Sequence, residues 1–538
     1  MFGKCHKCGQ DGLECQDDYA SLKSGYWWQW RNNTSKERYK AFIANLLTSS
    51  PDLDASSVRY PYPIPGPYKC PIEHACNGGL DSTCGSGYGG PLCDVCSSGY
   101  YKQLNTCIHC PSKKWIVGQL LIIAASVFII IAVAIWRNKS KAKTASGKRH
   151  LIDMFFSKLK IVIGFYQVTY GLLQVFSFVK WPGSLEVIGK YSGILQMNIL
   201  QIAPVHCLFT GLHVDAFGNW FVMMGLNTVV IGISGVAYGV RKFFILRNRS
   251  LEDEEKSQAL SRTKELMYRN LFFILYVTYL NTCSKTASVL PLACRKLCRD
   301  EADGVCNKYL KADYSIQCQG SKYDHFLIFA YISTTYVIAL PVASFIVLWR
   351  QRRVVLAASD ANIPQESSRE MITGLRFLFE NYQSRSWYWE LVEMSRKVIL
   401  TSGLILVGQE SRSYIGLTWV IAGMYGVVFS WMRPIQDVFE NRLMTTSLAV
   451  TVVNLGIGAV SRIPTENLPG LIDSYADALF LKILVLVANT SVITLVLGWL
   501  MLNLYGPICV EAFADGSGLN YTISWAPKGF HALIHGAI

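Results

Sequence analysis

The sequence predicts an all-α polytopic membrane bundle of about nine transmembrane helices, preceded by a small disulfide-rich ectodomain of β and irregular structure. Three observations predict it: apolar runs long enough to cross a bilayer, Lys/Arg clusters at alternate ends of those runs, and cysteines crowded into two segments that the charges place outside. A 538-residue chain that is 51% hydrophobic and only 16% charged lies outside the globular balance. Its formal charge of +14 falls largely on juxtamembrane positions. Topology and attraction to anionic inner-leaflet lipid account for that charge without a nucleic-acid partner.

A hydrocarbon core of about 30 Å needs ~20 apolar residues per crossing. Candidate spans are 115–136, 161–179, 220–240, 271–290, 326–349, 391–407, 415–432, 443–460 and 478–502. The basic clusters Arg137 to Lys143, Lys158 with Lys160, Arg241-Lys242 with Arg247 and Arg249, Arg350 to Arg353, and Arg433 mark cytosolic ends. Residues 1–112 are thus expected outside, 113–503 form the membrane domain, and 504–538 form a cytosolic tail. Loops 137–160, 241–270 and 350–390 are expected in the cytosol and loop 291–325 outside, in a protein of the plasma membrane. The stretch 194–209 is moderately apolar but broken by Gln196, Asn198, Gln201 and Pro204, which suits a re-entrant or surface-lying helix.

Ten of the seventeen cysteines precede Lys113 and four lie between Cys294 and Cys318. Both groups sit on segments the charges place outside, where thiols oxidise to disulfides. The disulfide candidates are Cys5, Cys8, Cys15, Cys70, Cys76, Cys84, Cys93, Cys96, Cys107, Cys110, Cys294, Cys298, Cys306 and Cys318. Seven between Cys70 and Cys110 leave one in need of a partner, found in the upstream trio or in sequence beyond this chain. No apolar leader precedes Cys5, so the chain reads as part of a longer ectodomain or as one whose first span carries the amino terminus across. Cys93-x2-Cys96 with Cys107-x2-Cys110 superficially makes a four-thiolate zinc set. Ten intervening residues and an oxidising compartment weigh against zinc, and no cofactor is expected. Asn32 and Asn33 head overlapping glycosylation sequons.

The run Gly89-Gly90-Pro91-Leu92-Cys93-Asp94-Val95-Cys96-Ser97-Ser98-Gly99-Tyr100-Tyr101 resembles laminin-type epidermal-growth-factor modules and ephrin-receptor-like cysteine repeats. That resemblance implies small β-hairpin modules stapled by disulfides. Phe165-Tyr166-Gln167-Val168, Trp181-Pro182, Phe377 to Tyr382 and Trp387 to Lys397 look like a set of polytopic proteins of invertebrates and protists. In those proteins cysteine-rich repeats precede a membrane region distantly similar to transient-receptor-potential-like, polycystin-like proteins of fungi. The resemblance covers nearly the whole chain and implies a channel-like or receptor-like protein.

Ionisable groups inside spans are costly and become functional candidates. Lys285, Asn454 and Asn489 are candidates for a pore or cavity, and Glu466, Asp473 and Asp477 for acidic rings at its outer mouth. Lys482, four residues into the ninth span, reads as snorkelling to the outer headgroups. Lys285 takes a cavity or inter-helix role, Asn454 and Asn489 otherwise read as helix-to-helix contacts and the three acidic residues as solvated loop carboxylates, while Gly456, Gly458 and Gly235-x3-Gly239 read as close helix packing. Glu390, Glu393, Arg396 and Lys397 bring opposite charges onto one helical face at i,i+3 and i,i+4 spacing. They form a cytosolic coupling helix or, more simply, an interfacial helix anchored by Trp387 and Trp389. Phosphate-loop and metalloprotease motifs are missing from the sequence, so no enzymatic activity is expected. Two functions follow: a channel conducting or regulating cations in response to an extracellular cue, or a non-conducting adhesion or signalling receptor. The partners expected are the bilayer, an extracellular protein or glycan, and further copies of the chain.

Overall fold

The computed structural model describes residues 11–16, 19–48, 60–103, 106–122, 146–176, 181–195, 204–208, 215–247, 252–300, 305–350, 375–407, 412–460 and 475–516, with three single positions between them. The amino-terminal module has short extended segments separated by glycine turns, and these close into a succession of two-stranded antiparallel sheets. β1 (Leu13–Gln16) pairs with β2 (Tyr19–Leu22), and β3 (Tyr26–Trp27) pairs with β4 (Tyr68–Lys69) across the inserted helix α1 (Asn33–Thr48). β5 (Cys76–Gly78) with β6 (Thr83–Cys84), β7 (Tyr88–Gly89) with β8 (Val95–Cys96), and β9 (Tyr100–Gln103) with β10 (Thr106–His109) complete it. Gly78 sits at φ 74°, and a Cβ there would lie 2.6 Å from the Leu22 carbonyl oxygen, so this turn closes only on glycine.

Disulfides Cys70–Cys76, Cys84–Cys93 and Cys96–Cys107 staple these sheets, constraining the unfolded chain where a core this small supplies little stability. The two Cys-x2-Cys pairs are divided among different bridges, which consumes the thiolates a zinc site needs. The odd cysteine does not pair upstream as expected: Cys110 bonds Cys207, 97 residues on. Proximity in space, invisible to a count along the chain, selects that partner.

The membrane domain follows. Its helices are α2 (Ser146–Val175), α3 (Gly183–Leu195), α4 (Ala216–Arg247) and α5 (Asp253–Val289). Next come the sheet β11 (Cys294–Asp300), β12 (Val305–Leu310), β13 (Asp313–Gln317), and then α6 (Ser321–Arg350). α7 (Trp389–Val398) continues through a π-helical turn, Ile399–Gly403, into a last α-helical turn, Leu404–Val407. α8 (Arg412–Met432), α9 (Val438–Val460) and α10 (Tyr475–Gly516) end the fold.

Five helices, not nine, are long and apolar enough to cross a membrane among the described residues: Ala216–Arg247, Ser321–Arg350, Tyr414–Met432, Val438–Val460 and Leu481–Asn503. The expected first span falls mainly outside the described residues. The expected spans at 161–179, 271–290 and 391–407 do exist within α2, α5 and the α7 helix, but each packs inside the bundle. There polar side chains meet partners and lower the hydropathy of the helix. Two of the expected loops are helical in their described residues: α2 begins at Ser146 within 137–160, and α4 runs to Arg247 and α5 starts at Asp253 within 241–270. In the 181–219 stretch a helix runs over Gly183–Leu195 and a helical turn over Val205–Leu208; most of the segment 194–209, expected as a re-entrant or surface-lying helix, lies outside the described residues.

Inside lipid, helices associate through close packing and interhelical hydrogen bonds. Asn227 of α4 bonds Thr282 and Thr278 of α5, both at 2.9 Å. Thr286 of α5 meets Ser333 of α6 at 2.6 Å. Trp181, whose Nε1 donates to the Phe176 carbonyl, fills the notch at Gly458, where a Cβ would approach it to 2.4 Å. Gly235 and Gly239, expected to pack closely, have nothing within 4 Å of an added Cβ: the buried face of α4 carries Trp220, Met223 and Asn227, and these glycines lie elsewhere on the helix.

Candidate functional site

The structure concentrates buried charge at the end of the bundle away from the module. α2 supplies Ser157, Lys158 and Lys160; α5 supplies Tyr276; α7 supplies Glu390, Glu393, Arg396 and Lys397. The turn from α8 into α9 supplies Asp437 and Glu440. The Lys158 side chain is 0% exposed, with Nζ 2.9 Å from Asp437 and 3.1 Å from Glu440 and 4.3 Å above the Trp499 ring. Lys160 Nζ lies 2.7 Å from Glu390, which also accepts the hydroxyls of Tyr276 and Tyr382. Arg396 grips Glu393 through Nε at 2.9 Å and Nη2 at 2.6 Å, and Lys397 stands 3.5 Å from the same carboxylate. Four cations thus face four carboxylates. Buried charges are tolerated only when paired and hydrogen-bonded in this way.

The segment 375–388 is drawn into this network and docks on the α8–α9 turn. Tyr382 bridges Ile435, Gln383 N donates to the Pro434 carbonyl at 2.8 Å, and Gln436 N donates to the Asn381 carbonyl at 2.9 Å. Asn381 Nδ2 donates to Ser157 Oγ at 2.7 Å, and that hydroxyl donates to Glu440 at 2.8 Å. The turn closes through Arg433 at φ 43°, a left-handed conformation that a β-carbon makes costly. A cavity lined by Lys160, Glu390, Glu393, Arg396, Lys397 and Glu440 offers about 30 Å³ to water centres, room for about two waters.

The i,i+3 and i,i+4 pairs expected on α7 are therefore formed. Trp387 and Trp389, expected as interfacial anchors, are buried instead: Glu390 is 2% exposed and Trp389 4%, because α2, α5 and α8 pack against this face of the helix. Lys158 and Lys160, read from sequence as juxtamembrane markers, are counter-ions in this network, Lys158 buried and Lys160 half-buried. Tyr276, Asp437 and Glu440 were not singled out by sequence, since their partners lie far along the chain; Tyr382 entered only as part of a resemblance motif.

The expected pore residues separate. Asn454 and Asn489 bond each other reciprocally at 3.0 Å in both directions and are buried, an interhelical pair. Lys285 is half-buried near the module-side end of α5, within electrostatic reach of Lys102. Glu466 and Asp473 fall outside the described residues, as do Cys5 and Cys8; Asp477 lies in α10. Cys15 is disulfide-bonded, and Cys294–Cys318 and Cys298–Cys306 are formed. Asn32 and Asn33 are exposed at the start of α1, where Asn32 Oδ1 accepts the Ser35 N–H at 2.7 Å as an N-cap.

At the opposite end, module and membrane domain share one hydrophobic core. Trp27, Ile72, Leu92 and the Cys70, Cys76 and Cys93 side chains pack with Leu297, Tyr309 and Tyr314 of the β11–β13 sheet. Tyr68 of β4 accepts the Cys298 N–H at 2.8 Å. The sheet through Leu310, and the turn before it through Ala293, pack in turn against Phe217 and Trp220 of α4 and Tyr323 and Ala330 of α6. Asp313 accepts the Ala216 N–H at the start of α4 at 3.2 Å.

No protein-family model matches the chain, and no solved structure does. A segment of 235 residues, 41% of the chain, is 24% identical to cysteine repeat modular protein A of Toxoplasma gondii. The chain spans about 7% of the length of that curated relative. This similarity agrees with the disulfide-rich module; it carries no sign of the transient-receptor-potential-like membrane region.

Proposed function

We propose that the chain is a receptor-type transducer of the plasma membrane, with its cysteine-rich module outside and its carboxy-terminal tail in the cytosol. The module would bind an extracellular protein or glycan and pass the resulting displacement through the bundle to the ionic network, with no enzymatic step. One observation carries the reading. The module's core is continuous with the β11–β13 sheet, and that sheet packs on the module-side ends of α4, α5 and α6, so the module cannot shift without moving three helices. Interiors this closely packed transmit displacement instead of absorbing it.

The test uses an antibody fragment raised against the module as a surrogate ligand, with the full chain in nanodiscs. Hydrogen exchange should change across 381–397 when the fragment binds. Unchanged exchange there, with binding verified, rejects the proposal. Cation conduction is the second reading, favoured by the cavity that Glu390, Glu393 and Glu440 share with apolar side chains and weakened by the mutual pairing of Asn454 and Asn489. A whole-cell current that disappears with Glu393→Gln at normal surface delivery would favour it.

A further inference from the structure

α6 carries Pro341 inside its helical span; Val337 and Leu340 before it and Val347 and Leu348 after it share one cluster with Tyr279 and Cys283 of α5, but the outer ends of the two halves have different partners. The half before Pro341 belongs to the module side. Its Tyr323 and Ala330 pack with Leu310 and Val289, and its Ser333 meets Thr286. The half after Pro341 belongs to the far side. Phe345 stacks on Trp387 with ring centroids 5.9 Å apart, and Trp349 lies 6.3 Å from the same ring. Trp387 leads directly into α7, which holds Glu390.

A proline lacks the N–H that would bond the carbonyl four residues earlier, and its ring pushes that carbonyl aside. The carbonyl concerned is Val337. It accepts the hydroxyl of Tyr279 from α5 at 2.9 Å, so a neighbouring helix replaces the missing backbone bond, as membrane helices require. One turn on, Ser344 Oγ donates back to the Leu340 carbonyl at 2.8 Å, a contact that itself favours bending.

We propose that α6 is a hinged lever which bends at Pro341, and that the Tyr279 hydroxyl is the latch that sets the bend. With the latch made, the two halves hold one angle. With it released, the far half swings with Trp387 and the start of α7 while the near half stays with the β11–β13 sheet. The inference rests on the geometry of α5, α6 and Trp387 and stands whether or not the module binds a ligand.

The test places spin labels at Ile328 and Ile346 of the full chain in nanodiscs, attached through a non-cysteine chemistry so that the disulfides stay intact. Both positions are exposed and, 18 residues apart, lie on one face of α6, about 27 Å from each other along a straight helix. Tyr279→Phe should broaden the distance distribution and add a second population. Pro341→Ala restores the N–H and should narrow the distribution below the parent's. Tyr279→Phe combined with Pro341→Ala should be as narrow as Pro341→Ala alone, because the backbone then satisfies Val337 itself. A parent-like distribution in Tyr279→Phe, or a double variant as broad as Tyr279→Phe, overturns the latch. If Tyr279→Phe does not fold, an unchanged width in Pro341→Ala overturns the hinge.

Discussion

Replacing Glu390 by Gln tests the ionic network where it is most tightly built. The side chain is 2% exposed and accepts from Lys160, Tyr276 and Tyr382. Glutamine keeps one acceptor oxygen for the tyrosines but removes the negative charge that lies 2.7 Å from Lys160, whose side chain is 19% exposed. Removing one partner of a buried ion pair costs about 3–5 kcal/mol. Partial exposure of Lys160 and its position 5.0 Å from the Tyr276 ring centroid favour the low end, so the expected loss is about 3 kcal/mol. At about 1.4 kcal/mol per decade, that is roughly a hundredfold in the local opening equilibrium. The assay is hydrogen exchange of the α7 amides in nanodiscs, whose protection should fall by that factor. The double variant Glu390→Gln with Lys160→Met removes both charges and should lose much less than the sum of its singles. Protection falling less than about threefold, or singles that simply add, would refute the idea that the pair is desolvated and coupled.

Non-reducing peptide mapping should recover a Cys110–Cys207 cross-link. Cys207→Ser, which opens a loop of 97 residues, should destabilise the fold by up to about 4–5 kcal/mol in chemical denaturation. Gly458→Ala drives a methyl into Trp181 and should cost about 1–3 kcal/mol, whereas Gly235→Ala, facing open space, should cost nothing measurable by the same melts. In the module, burial holds the Asp94 carboxyl above the ordinary carboxylate value against the pull of Lys102. Lys36 and Lys40 hold Asp81 below it. A raised pKa means that the folded state binds the proton more tightly. The stability from Asp94 is therefore complete below the ordinary value of 3.8 and lost as pH rises through its raised pKa. That from Asp81 is present above 3.8 and lost as pH falls through its lowered pKa. Carboxyl-carbon NMR titration should find Asp94 titrating above Asp81; the reverse order would contradict the burial of Asp94.

Sequence by itself determined what depends on neighbours along the chain. Apolar runs of bilayer length identify the helices that face outward, such as α4 and α6, because lipid contact demands hydropathy at almost every position. Cysteine crowding identifies the module, because a core so small needs cross-links. The spacing of Glu393, Arg396 and Lys397 foretold their pairing, since one turn of helix brings them together. Tertiary structure alone decided the rest. α2, α5 and α7 read as further crossings, yet their charges and hydroxyls are answered from other helices, and hydropathy cannot see a partner that lies elsewhere in sequence. Glu390 takes its donors from 8 to 230 residues away. Cys110 finds Cys207 across 97 residues, and Val337 is satisfied by a tyrosine on another helix. Each of these contacts exists because packing brings two distant positions within bonding distance, and no local pattern in either segment records where the other will be.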